Sequence, residues 1–260
     1  MRITFERLII FIITTKPTFF QLVTTIRMCY AQTMLIDFHS HYPSPNAFVC
    51  TAEPVKEAPK ACLLRFEGLL PDRWSEEKQK DLYEIILPDN SIHMGEIGLD
   101  KRFAEIIPIR RQADILREEL SFAIENNRLV SLHCVHSTGL MLEILSEFSY
   151  RPFCIIWHGF SGSSETAARL HKLGVVTSIS PRFKGSIKDI FKANPCTVPE
   201  TDYEGTCEEE YQAILKAQYK RFSSELNCTA EELINRQYGM LSEREAPHIV
   251  PSTGLLTITS

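Results

Sequence analysis

FCIIWHGFSGSSETAARLHKLGVVTSIS, residues 153–180, reads as strand, helix, strand. Its two ends, FCIIWH and VVTSIS, are short runs of apolar and β-branched residues, as in strands buried on both faces. Between them, SSETAARLHKLG offers serines for an N-cap and Gly174 as a stop. Strands joined through a helix in this way run parallel, so the unit predicts an α/β fold on a parallel sheet.

The same reading extends outward in both directions. MLIDF, AFVC, ACLLRF, IHMGEIGL, LVSLHC and CTVPETD are further strand candidates. IRRQADILREELSFAIENN sets Ile109, Ile115, Leu116, Leu120 and Ala123 on one apolar stripe, and TAEELINRQYGML opens with Thr229 and Glu232 in capping-box spacing. No repeat or Gly/Ser-rich linker divides the 260 residues, a length that suits one barrel of the TIM type, (β/α) units closed into a ring. The start breaks the rule. Only YPSPN separates the first strand from AFVC, where a parallel crossover needs about a dozen residues, and EPVKEAP is prolines and charge rather than helix. The predicted barrel is therefore incomplete or distorted near its second βα unit. It is expected to span residues 34–242, after an extension at 1–33 and before a tail at 243–260.

Composition narrows the class of protein. With 28 Lys and Arg against 33 Asp and Glu, the formal charge of -5 gives no global field that would recruit nucleic acid, so a polyanion needs local cations or metal ions. The eight cysteines are scattered without a C-x-x-C pair, which fits reduced thiols in a cytoplasmic enzyme. In MRITFERLIIFIITTKPTFF the apolar run from Leu8 to Ile13 is cut off by Thr14, Thr15, Lys16 and Pro17, too short to span a bilayer. This segment is read as an extension from an upstream start, not as a targeting signal, and no membrane association is expected.

Chemistry gathers at strand ends. IDFHSHYPSP puts Asp37, His39 and His41 at alternate positions, so an extended chain directs them to one side. Glu96 follows IHMG, His133 closes LVSLH, His158 closes FCIIWH and Asp202 closes CTVPETD. The carboxyl ends of barrel strands share one face, so these residues can meet around one pocket. Taken singly, His133 could be solvated, Glu96 could form an ion pair and Asp202 could cap a helix. Together they make a set of nitrogen and oxygen donors without cysteine, suited to two divalent ions such as Zn²⁺, Mg²⁺ or Mn²⁺.

The segments DFHSHY, GEIGLD, SLHC, HGFSGS and ETD, in that order, resemble the TatD family of metal-dependent hydrolases in the amidohydrolase superfamily, often called TatD-type deoxyribonucleases. The resemblance runs from Met34 to about Ser242. It implies that His39 and His41 bind a first metal, that Glu96 bridges, and that His133 and His158 bind a second. Asp202 then binds the first metal and serves as base, with water attacking a phosphodiester, DNA being the implied substrate. In HGFSGS, Gly159 and Gly162 could let backbone approach an anion, with Ser161 and Ser163 as donors, or could only turn the chain into a helix. Substrate contacts are accordingly expected at Ser161, Gly162 and Ser163. Asp37 is either a partner of a ligand imidazole or a structural acid; Asp100 and His136 are further candidates around the metals. Arg102, Arg110, Arg111, Arg182 and Lys184 could line a phosphate groove.

The chain departs from the family pattern in places. Where members usually carry Gly-x-His-Pro, this chain has GLLP, with Leu70 in the histidine's place, and ETD is followed by YEG rather than Ala or Ser and Pro. The short opening also lacks helices the family normally has. Two other readings stay open: a metal-dependent hydrolase of another ester, amide or phosphoester, and a catalytically weakened relative.

Overall fold

Each apolar run becomes a strand. The computed structural model describes residues 34–52, 63–150, 152 and 154–245. Its strands are β1 (Ile36–Ser40), β2 (Phe48–Thr51), β3 (Leu63–Glu67), β4 (Ile92–Asp100), β5 (Val130–Val135), β6 (Ile155–Trp157), β7 (Val176–Ile179) and β8 (Thr197–Pro199). They form one eight-stranded sheet in the order of the sequence, every neighbouring pair parallel. The helices are α1 (Glu76–Ile86), α2 (Ile109–Glu125), α3 (Thr138–Ser146), α4 (Ser164–Lys172), α5 (Ile187–Ala193), α6 (Glu208–Leu226) and α7 (Ala230–Glu245). The result is a TIM-type α/β barrel, nearly closed, with one unsealed seam between β8 and β1.

Side-chain and rim bonds hold that seam in place of a strand ladder. Thr201 donates to the buried Asp37 carboxylate from its amide at 2.9 Å and its hydroxyl at 2.6 Å. At the rim the Asp202 amide donates to the His39 carbonyl at 2.9 Å, and the His41 amide to the Tyr203 carbonyl at 3.0 Å. Below them, the Tyr219 hydroxyl of α6 accepts the Ile36 amide at 2.9 Å. A strand edge without a paired neighbour leaves backbone groups to satisfy, and these bonds do so.

The barrel keeps its second strand, and the connection that leads into it has no helix. Residues 41–47 join β1 to β2 with no helix, yet the two strands are parallel. An extended chain of that length reaches roughly 24 Å, more than the rise of about 16 Å along β1, so it can return without one. Instead of a crossover helix, the loop leans on the first turn of α6: Ser44 Oγ and Asn46 Nδ2 each donate to Glu208 Oε1 at 2.9 Å. The distortion expected here is thus a missing helix, and the break in the barrel lies elsewhere, at the β8/β1 seam. EPVKEAP, the extension at 1–33 and the tail from 246 fall outside the described residues.

The helices follow their sequence signals. In α2, Ile115, Leu116, Leu120 and Ala123 are buried as the stripe predicts, while Ile109 is only half-buried. Ser163 caps α4 by accepting the Thr166 amide at 3.2 Å, and Gly174 stops the chain beyond it at φ +69°. At α7 the Thr229 hydroxyl accepts the Glu232 amide while the Glu232 carboxylate accepts the Thr229 amide, a reciprocal capping box. No helix among the described residues is long and apolar enough to cross a membrane.

Candidate metal centre

Close packing of β4 on β5 sets the middle of the site. Gly95 and Gly98 flank Glu96 at φ +152° and +151°, values that side chains disfavour, and the pairing with β5 shifts register between Met94 and Ile97. A Cβ on Gly98 would lie 1.9 Å from the His133 carbonyl oxygen, and one on Gly95 2.6 Å from Ser131 Cβ. Only glycine admits this approach.

Glu96 then faces two histidine pairs with its two oxygens. Oε1 lies 3.0 Å from His39 Nε2 and 3.4 Å from His41 Nε2; Oε2 lies 3.0 Å from His158 Nε2 and 3.4 Å from His133 Nδ1. The His39 and His158 rings stack at 4.0 Å. Burial alone would raise the Glu96 carboxyl, but the histidines around it hold it well below the usual carboxylate range. Burial likewise disfavours charge on His39 and His158; Glu96 outweighs it at His39 and not at His158, which is pushed down.

Outer contacts fix two rings. Ser131 Oγ lies 3.3 Å from His39 Nδ1, leaving Nε2 turned to the centre. Asp100 holds His133 Nε2 at 2.9 Å, leaving Nδ1 turned inward. Asp100 is itself clamped by Arg102, whose amide and Nε both sit 2.9 Å from its Oδ1. Burial raises the Asp100 carboxyl, yet Arg102 and His133 bring it down to about 2.

From the far side of the seam comes the segment after β8. Asp202, in the left-handed region at φ +49°, points Oδ1 at His39 (3.9 Å) and His41 (3.7 Å), while its Oδ2 pairs with the Arg182 guanidinium. Helix α6 begins only at Glu208, so Asp202 is not its cap. Glu200 is fully buried, accepts the Gly159 amide at 2.7 Å through Oε1, and groups with His158 and Asp202. Sequence reading assigned Asp202 alone in ETD; period-two alternation, which puts Glu200 on the same side, is the signal that would have found it.

Among the described residues, three sets of donors lie close enough to share an ion: His39, His41 and Asp202; His39, Glu96 and His158; His158, Glu200 and Asp202. His133 adjoins them through Glu96 and through His158 Nε2 at 3.2 Å from its Nδ1, without belonging to a set. Among the described residues, His39 Nε2, His158 Nδ1 and Glu200 Oε2 are buried without a directed hydrogen bond. Such orphaned atoms are costly unless something binds them, and nitrogen and oxygen donors around a carboxylate suit a divalent cation.

Other expected residues fall at varying distances from this cluster. Asp37 contacts Thr201 and the His39 amide at 3.2 Å, so of its two readings the structure gives the brace of the seam; burial raises its carboxyl to about 6. The Gly159 amide is taken by Glu200 and is not free for a substrate anion. Ser161, Gly162 and Ser163 line a cleft of 490 Å³ together with Arg182 and Lys184. His136 is exposed beyond β5, while Arg111 lies near Glu76 and Glu118 on α1 and α2, away from the cluster.

The sequence profile of the TatD related DNase family matches residues 27–236. Among curated proteins, the human 3'-5' RNA nuclease TATDN2 is 26% identical over 90 residues, a match covering 35% of this chain and 12% of that protein. Two solved structures share the fold. The TatD homologue YJJV of Escherichia coli matches with a TM-score of 0.58 at 19% identity, over 81% of this chain and 95% of its own. A TatD family hydrolase of Entamoeba histolytica matches with a TM-score of 0.55 at 16% identity, over 88% and 81%. With most of its length matched by the profile, the chain belongs to the TatD related DNase family, a family of hydrolases.

Proposed function

We propose that this chain hydrolyses phosphodiester bonds of a nucleic acid with the help of two divalent metal ions. One observation carries the reading: Glu96 presents a separate oxygen to each of two histidine pairs, the arrangement a bridging carboxylate needs. The orphaned His39 Nε2, His158 Nδ1 and Glu200 Oε2 support the fit of metal to these residues. In this reading His39, His41 and Asp202 hold one ion, His133 and His158 the other with Glu200 beside them, and Glu96 joins both. Ions bound there supply Lewis acidity, lowering the pKa of water and offsetting charge that builds on a phosphoryl oxygen.

The chain's own groups do the rest. Asp202 orients the attacking water and takes its proton as the base. Asp100 and Ser131 keep the His133 and His39 rings turned inward, so their donor atoms need no reorganisation. Stacked, buried rings around Glu96 keep bulk water from competing for it. Ser161 and Ser163, at the mouth, contact the substrate backbone.

The family is named for DNase, and the human relative is named an RNA nuclease. Both DNA and RNA oligonucleotides therefore belong in the test, with Mg²⁺, Mn²⁺ or Zn²⁺ supplied. Hydrolysis of either, lost with a chelator and reduced about a hundredfold or more in Asp202→Asn, is the expected result. A protein that binds no metal, or whose activity survives Asp202→Asn, would end this reading.

A further inference from the structure

We propose that Arg182 is shared between Asp202 and a phosphate of the substrate, so that metal bound at Asp202 releases it to the substrate. The inference rests on the metal-dependent reading above. Arg182 rises from the loop after β7 and its side chain is 71% exposed, yet its guanidinium pairs with Oδ2 of Asp202, which is 6% exposed. The same carboxylate turns Oδ1 to His39 and His41 and belongs to two of the three donor sets. A guanidinium and a divalent ion thus depend on one carboxylate, and two cations on one anion repel.

Arg182 has a second place to go. It lines the 490 Å³ cleft that opens beside the centre, with Ser161 and Ser163 on one wall and Lys184 and Asp189 on the other. Lys184 makes no ion pair with any described residue, and Asp189 is the one carboxylate among the described residues that line the cleft. Arginine suits both partners because its planar fork meets carboxylate and phosphate alike. When an ion takes charge from Asp202, Arg182 turns to the phosphate next to the one being cut, and Lys184 contacts the same stretch of backbone. The cleft so becomes a subsite for a flanking phosphate, giving preference to a polynucleotide over a single phosphodiester.

The test reads two quantities expected to move in opposite directions. Titration of the full chain with Mn²⁺ alone should show Arg182→Gln binding the ion about two- to fivefold more tightly than wild type, the size of one partly exposed ion pair. On a single-stranded oligonucleotide, the same variant and Lys184→Gln should each raise KM about threefold, more than they raise it for bis(p-nitrophenyl) phosphate, which has no second phosphate. Each should also flatten the slope of log KM against log salt by about 0.7, one lost phosphate contact on a single strand. Arg182→Lys should restore part of the competition. Unchanged or weaker Mn²⁺ binding by Arg182→Gln, or an unchanged salt slope in both variants, overturns the proposal while metal binding and hydrolysis by wild type stand. Failure of wild type to bind Mn²⁺ overturns this proposal and the hydrolase reading together.

Discussion

Glu119 sits inside α2 with its side chain 1% exposed, and its Oε1 has no hydrogen-bond partner among the described residues. Burial pushes its carboxyl well above the usual value of 4.5, with Glu118 adding to the effect. A raised carboxyl binds more protons in the folded chain than in the unfolded one, so the contribution of Glu119 to stability is greatest below about pH 4.5 and declines as pH rises toward the folded value. Glutamine has the same shape and no charge to bury. Glu119→Gln is expected to raise Tm at neutral pH by about 2 °C or more, a gain that shrinks as pH falls toward 4.5. Thermal melts across that range check it; a gain independent of pH would mean that the charge is not what Glu119 costs.

At the scale of elements, the approach of β4 to β5 is the contact on which the centre depends. Gly98→Ala would place a Cβ 1.9 Å from the His133 carbonyl, so either β5 moves or β4 does. The expected cost is about 2 kcal/mol or more, read from the urea midpoint, together with weaker metal binding because His133 travels with its strand. Gly139, at the start of α3, is the contrast: no atom of the described residues lies within 4 Å of its added Cβ, and Gly139→Ala is expected to stabilise by about 0.5 kcal/mol. The sequence made the strands legible because each is a continuous apolar run, and it made α4 and α7 legible because their caps are local. What it hid is made by long-range encounters. Ser131 behind His39, Gly159 on Glu200 and Arg182 on Asp202 pair residues 92, 41 and 20 positions apart, and no local pattern announces them. The loop from β1 to β2 was legible as too short for a crossover helix, but not the way Glu208 of α6 receives it.

At the scale of the whole molecule, the candidate centre straddles the seam. His39 comes from β1 and His41 from the residue just after it, while Glu200 and Asp202 come from the chain just after β8, and two short bonds at the rim already join these sides. An ion held by His39, His41 and Asp202 would bind both edges at once, so metal is expected to act on the fold as well as on the chemistry. Anything that binds only the folded state stabilises it by mass action, about 2.7 kcal/mol at a hundred times its Kd, which for a domain of this size raises Tm by roughly 5–10 °C. Mn²⁺ should therefore raise Tm by that order and a chelator reverse it, with most of the shift lost in His39→Ala. Hydrogen exchange gives the location: the His41 and Asp202 amides, which form the rim bonds, should slow more on metal addition than the amides of β3, whose partners lie within the sheet. Equal slowing everywhere would mean that metal stabilises the barrel without closing its seam, and no change in Tm would place the ion, if any binds, away from these strand ends.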